Sequence, residues 1–408
     1  MSEQPKQTTT LKRVLGLPQL LLYGLGTTIG AGIYALIGEL AAVSGYYSVA
    51  SFLVAAVIAF ITALSFAEIS ARIPKAAGSA SYVFHGFNSK SLSTAVGILV
   101  IMAGLTSTSA LINAFHHYLD FFIAVERLPT LILVMLCIAL LAAWGIAQSV
   151  TVAAVITLIE VFGLLLVIWV SVPELIAINP DWSLLIPNDI MAWGLVYAGA
   201  LLAFYTFIGF EDMVVVAEET RDVKRTLPNA IILTLTITSI LYIMVMIAAI
   251  YLMTPEGLSQ SSAPLAELYA QQTNSNNNII LFIGMVSILN GALIQVIMAA
   301  RVLYGLANNR QLPQFLAYIS PKTQTPVTAT LLASSIALLM AISGSLAGLA
   351  QITSIVMLVV FALVNGALVR IKLQQPKPEG ILIVPTAIPV LGLIFSLFFC
   401  INELLAFI

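Results

Sequence analysis

Charge is what this chain has least of. Asp, Glu, Lys and Arg together supply 8% of its residues, against about 25% in soluble domains, which excludes a hydrated globular surface. The formal net charge of -2 gives no reason to expect nucleic acid or another polyanion as a partner. There are 2 cysteines, Cys137 and Cys400. Both sit inside apolar runs without metal-ligand spacing, so both are expected to be buried packing residues. The 3 histidines, His85, His116 and His117, fall near the edges of apolar runs, and no second cluster matches them, so no metal site is expected. Neither H-E-x-x-H nor G-x-S-x-G occurs, so nothing points to an enzyme, and no cofactor is expected. A short repeated filter segment of the channel type is also missing.

What is present is apolar length. Hydrophobic residues make up 60% of the chain, and a stretch of about 20 of them spans a bilayer. Eleven such stretches can be read, over 18–43, 48–71, 91–115, 128–147, 149–172, 190–216, 228–253, 278–306, 326–343, 346–370 and 381–406. They are continuous runs without period-two alternation, which excludes a β-barrel and predicts an all-α integral membrane protein. Residues 1–17 read as a polar cytoplasmic tail, and the run that follows is too long for a signal-peptide core. With the N-terminus inside, every basic residue but Arg127 among the 16 falls on that side. The positive-inside rule therefore predicts a multi-pass protein of the cytoplasmic membrane with a cytoplasmic N-terminus.

Two spans carry signs of interruption. Span one contains Gly24, Gly26, Gly30 and Gly32 near its centre, at a cost of about 1 kcal/mol each relative to Ala. Small-residue packing through the Gly26–Gly30 step and a mid-membrane break explain them equally well. Span six holds Gly209, Glu211 and Asp212, and Met213–Ala217 resume the apolar run beyond the acids. The two spans are five apart, so they enter from opposite sides. This predicts two inverted repeats, 18–172 and 190–370, followed by an extra helix over 381–408. Paired interrupted helices in inverted halves point to a midplane substrate site. Freed N–H groups over Thr27, Thr28, Ile29, Gly30, Ala31 and Gly32 would receive a carboxylate, and freed carbonyls an ammonium, which suits an amino acid zwitterion.

Several motifs then resemble the amino acid-polyamine-organocation (APC) superfamily of transporters. They are Gly26-Thr-Thr-Ile-Gly-Ala-Gly-Ile33, Phe66-Ala-Glu-Ile-Ser-Ala-Arg-Ile-Pro74 with Gly78–Phe84, Ile208-Gly-Phe-Glu-Asp212 with Ala217-Glu-Glu219 and Pro228, and Ala300-Arg-Val-Leu-Tyr304 before Leu312-Pro313. The resemblance covers spans one to ten. It implies a five-plus-five inverted repeat with broken helices one and six. Substrate would lie between those two helices, with spans three and eight lining the pocket. It implies a backbone site over Thr27–Gly32, an aromatic gate at Tyr205 beside Phe204, a break at Phe207, Ile208 and Gly209, and a pocket-facing Gln295. The chain departs from the family in having Asn308-Asn-Arg-Gln-Leu312 where an Asp-Gly pair is frequent. It also ends after eleven spans where twelve are usual, so its C-terminus is expected outside.

Three acids remain to be read. Glu160 lies about 18 Å into span five at 1.5 Å per residue, where an unpaired charge costs about 2.5 to 3.5 kcal/mol, enough to favour protonation. Some proton-coupled relatives carry a lysine at the similar position. Glu211 matches a family carboxylate implicated in proton sensing, and Glu160 and Glu211 are the expected proton-coupling residues. Glu68, near Arg72 and Lys75 at the inner end of span two, reads as a structural pair or an inner gate. Sodium coupling would need more hydroxyls than the single Ser287 of span eight, so the coupling ion is expected to be H+. The function expected is proton-coupled transport of a neutral amino acid by alternating access, with an amino acid/polyamine exchanger or a non-transporting receptor as alternatives. Residues 257–272 are mildly amphipathic and suit a short lid helix. Oligomeric state is not legible.

Overall fold

The computed structural model describes residues 15–406 apart from 76–77, 121, 145, 277, 324 and 376–377. The N-terminal tail therefore lies outside the described residues through position 14, as does the side chain of Ala31. Each of the eleven apolar runs corresponds to a helix. In order these are Leu17–Ser44, Ser48–Arg72, Lys90–Asp120, Arg127–Trp144, Ile146–Ile178, Ile190–Tyr205 with its continuation Phe210–Glu219, Val223–Gln260, Asn278–Asn308, Val327–Ser343, Leu346–Gln374 and Ala387–Ala406. Among the described residues, eight helices are long and apolar enough to cross a membrane, with shorter apolar helices at Val327–Ser343 and Ala387–Asn402. The only β pairing among them is an isolated bridge between Leu15 and Thr220.

Local chemistry fixes the helix ends. Asp189 accepts from the Ala192 N–H at 2.7 Å and starts span six, and Ser345 accepts from the Gly348 N–H at 3.2 Å and starts span ten. Each caps a backbone donor that would otherwise lack a partner. Span seven kinks at Thr254 (φ 63) ahead of Pro255, one residue beyond the end expected at 253. Two short helices lie outside the bundle's spans, at Gly78–Phe87 after span two and Pro264–Thr273 after span seven. The second overlaps the segment expected over 257–272, whose first residues, 257–260, instead end the span-seven helix.

Lipid-facing surfaces are as apolar as the interior. Leu133, Leu136, Leu140 and Trp144 of span four are exposed, as are Leu158, Phe162, Leu165 and Trp169 of span five, which is stable only in hydrocarbon. Cys137 shares the exposed face of span four, while Cys400 is buried. The expectation that both cysteines are buried therefore fails for Cys137, because helical phase carries it to the outer side with Leu133, Leu136 and Leu140. Span one occupies the interior, packed against spans five, six, seven and eight, and spans three and eight pack against each other.

A buried charge cluster ties the N-terminal face together. Glu68 is paired with Arg72 at 2.6 Å and Lys372 of span ten at 2.7 Å. It also accepts from the Val384 N–H at 2.9 Å, and Lys372 donates to the Val384 carbonyl at 2.6 Å. The expected second partner, Lys75, is replaced by Lys372, which the fold brings in from 304 positions away. Every charged oxygen and nitrogen in this cluster is satisfied, the condition under which buried ions are tolerated.

Candidate substrate site

Span one is a single α-helix from Leu17 to Ser44, so the interruption expected over Thr27–Gly32 is not there. The physical reason is visible in its neighbours. Its glycines face other spans at contact distance: a Cβ on Gly30 would stand 2.8 Å from the Ser287 carbonyl oxygen. One on Gly26 would collide with Thr157, and one on Gly32 would collide with Thr206. The small residues serve close packing, and the Thr27 and Thr28 hydroxyls bond back to the Gly24 carbonyl at 2.9 and 2.8 Å, the habit of threonine within helices. The N–H groups of 27–32 therefore belong to the helix rather than to a carboxylate.

Span six is broken as expected. Its helix ends at Tyr205, the chain turns through Thr206–Gly209, and a tight helix resumes at Phe210. Gly209 has φ 126 and ψ -24, a conformation that only glycine adopts without strain. Glu211 caps the turn by accepting from the Gly209 N–H at 2.9 Å. The Thr27 hydroxyl lies 3.0 Å from the Gly209 carbonyl, so the break leans directly on span one. Tyr242 of span seven completes the junction, its hydroxyl lying 2.8 Å from the Thr28 carbonyl and 3.2 Å from the Thr206 carbonyl. Sequence reasoning passed over Tyr242, although a tyrosine inside an apolar run is a sign that its hydroxyl has a buried partner.

The side chains around the break point in several directions. Tyr205 meets Ser107 of span three at 3.0 Å, hydroxyl to hydroxyl. Phe207 packs on Phe52 of span two and Tyr242 of span seven. Phe204 and Phe210 both pack on Phe361 of span ten. Ile29 and Ile208 are buried apolar residues. Gln295 donates its amide to Asp212 at 3.0 Å. The residues brought together around the break are thus Thr27, Thr28, Tyr205, Gly209, Glu211 and Gln295, whereas the rings of Phe204 and Phe207 serve the packing behind it.

Glu160 lies in a separate polar niche between spans one, five and eight. One carboxylate oxygen accepts from Asn290 at 3.1 Å, and the other is buried without a partner, as is the Ser287 hydroxyl. Two orphaned polar atoms in one niche are unusual. Among the described residues no basic side chain pairs with Glu160, Glu211 or Asp212, since the ion pairs there all belong to Glu68. Beside the last turns of span one lies a cavity of about 200 Å³ lined by Gly38, Glu39, Ala114, Tyr118 and Ser261 among others.

A multi-pass helical bundle organised around one broken, acid-bearing span is the architecture of a membrane carrier. Residues 15–406 match the amino acid permease family model, and the chain belongs to that family. An uncharacterized transporter of Mycobacterium tuberculosis is 29% identical over 388 residues, 94% of this chain and 84% of that one. The branched-chain amino acid permease BcaP of Bacillus subtilis is 26% identical over 421 residues, 96% and 88% of the two chains. The vacuolar cationic amino acid transporter 4 of Arabidopsis thaliana is 28% identical, with 91% of this chain and 65% of that one aligned. Among solved structures, the manganese transporter of Eremococcus coleocola superposes with a TM-score of 0.59 at 12% identity, covering 98% of this chain and 90% of that chain. That likeness extends to the fold.

Proposed function

We propose that this permease is a secondary active transporter that carries a neutral amino acid across the cytoplasmic membrane by alternating access, coupled to protons. One observation carries the proposal: span six is broken at Gly209 beside two buried carboxylates, and the break rests on an unbroken span one. A mid-membrane turn exposes backbone dipoles that hydrocarbon cannot satisfy, and a zwitterion complements them when spans one and six part. The break itself, with Tyr205 and Gln295, supplies the polar surface, and span one supplies the opposing wall. The halves 18–172 and 190–370 act as inverted repeats about this contact, with 381–408 as an added helix. The concentration of basic residues on the N-terminal side supports a cytoplasmic N-terminus.

Glu160 and Glu211 are the proposed proton carriers, since each is buried with neutral partners only. A carboxylate in that setting is most economically neutralised by a proton. A cationic substrate is the second reading. It is favoured by Asp212, which contacts the pocket residue Gln295, and by relatives such as the Arabidopsis transporter named above. Reconstitution into proteoliposomes tests both. Saturable uptake and counterflow of a neutral amino acid, stimulated by an inward proton gradient, is the expected result. Counterflow confined to lysine or arginine would favour the second reading, and binding without counterflow would identify a receptor instead.

A further inference from the structure

Two polar bonds bracket the break in span six. On one side Tyr205 meets Ser107 of span three. On the other, Asp212 holds Gln295 of span eight. Chain direction assigns them to opposite faces. Span six runs from its start at Ile190 to Glu219, next to the Thr220 bridge with Leu15, so Asp212 lies nearer the N-terminal face than Tyr205. Span three runs the opposite way, from Lys90 to Asp120, so Gly104 lies nearer that face than Ser107. Gln295 belongs to the same lower layer: a Cβ on Gly104 would stand 3.2 Å from its amide oxygen. Its side chain therefore runs from span eight past span three to span six. Gln295 and Asp212 are 6% and 3% exposed, and among the described residues no basic side chain pairs with Asp212.

We propose that Gln295 and Asp212 are the latch that closes the site toward the N-terminal face, opposite the Tyr205–Ser107 closure, and that release to that face requires their bond to part. This rests on the alternating-access reading above. Glu211 is already committed to the Gly209 N–H two residues away, so it holds the shape of the break. Asp212 instead reaches across to another span, the arrangement needed for a contact that can form and part between two elements. The absent side chain at Gly104 is what lets Gln295 pass. Gln295 is thus a gate residue as well as a pocket residue.

Site-directed labelling tests the latch without relying on transport. The two native cysteines are replaced by alanine, and A292C is introduced at buried Ala292, one helical turn before Gln295 and on the site side of the latch. A control carries A114C in the cavity on the far face. Membrane-impermeant maleimide is applied to sealed vesicles from the N-terminal side. D212A and Q295A should each raise A292C labelling roughly ten-fold, the upper end of the range for losing one hydrogen bond between neutral groups. The double variant should add little to either. D212N keeps an acceptor oxygen and should label at close to the parental rate, and A114C labelling should not rise in any of them. Additive effects in D212A/Q295A, equal rises at both reporters, or a D212N variant that labels like D212A would overturn the latch. Failure of wild-type counterflow would instead overturn the carrier reading and leave the labelling result to be judged by itself. Thermal unfolding of D212N in detergent guards against misfolding as the cause.

Discussion

Replacing Gly209 by alanine is the most exacting single change the structure offers. At φ 126 an L-residue is strained, which costs about 1–3 kcal/mol. The new Cβ would also stand 2.6 Å from the Thr27 carbonyl oxygen and 2.8 Å from its carbonyl carbon. Those are backbone atoms of an intact helix and cannot rotate aside, so the break must retreat from span one by roughly 0.8 Å, an overpacking cost of about 1–3 kcal/mol. Together the two effects come to about 2–6 kcal/mol, enough to change a conformational equilibrium by a factor of about 30 at the lower bound. Gly194, in the same span, is the control: nothing lies within 4 Å of its added Cβ, and alanine there should be neutral or slightly stabilising. The assay is thermal unfolding in detergent beside proteoliposome counterflow for both variants. G209A should melt lower and lose most counterflow while G194A does neither. A G209A protein with parental melting temperature and parental counterflow would refute the claim that this backbone conformation and its contact with Thr27 define the site.

Three further outcomes follow from the same geometry. E160Q keeps an acceptor for Asn290 but cannot exchange a proton, so proton-driven accumulation should fall while counterflow persists; unchanged accumulation would make Glu160 purely structural. E211Q likewise keeps an acceptor for the Gly209 N–H, and should flatten the pH dependence of uptake with little change in substrate binding, as read by uptake from pH 5 to pH 8 beside thermal-shift titration. E68Q leaves Arg72 and Lys372 facing a neutral group inside the protein, which should lower stability by up to about 3–5 kcal/mol; pairing it with K372M should recover part of that loss in a double-mutant cycle.

The span count was legible because bilayer length imposes a scale on the sequence that no tertiary contact can alter. The break in span six was legible too, since a glycine followed by two acids inside an apolar run has few other uses. Span one misled because Gly26 and Gly30 serve a break or a close helix contact equally well. The choice is made by Thr157 and Ser287, more than 120 positions away in sequence, whose approach is a tertiary fact. The same holds for Glu68, whose partner Lys372 arrives from span ten, and for Gln295, whose reading as a pocket residue did not foresee its bond to Asp212. Cys137 was misread for a different reason: a span with apolar residues all round carries no signal of which face meets lipid.

The small bridge at Leu15 and Thr220 has mechanical meaning. The Arg221 N–H donates to the Leu15 carbonyl at 2.8 Å, so the segment leading into the first helix and the segment leaving the broken one are coupled at their bases. Separating the two bases would have to break this bond, at a cost of about 1 kcal/mol. Any movement of the turn at Gly209 that kept this bond would carry the base of the first helix with it.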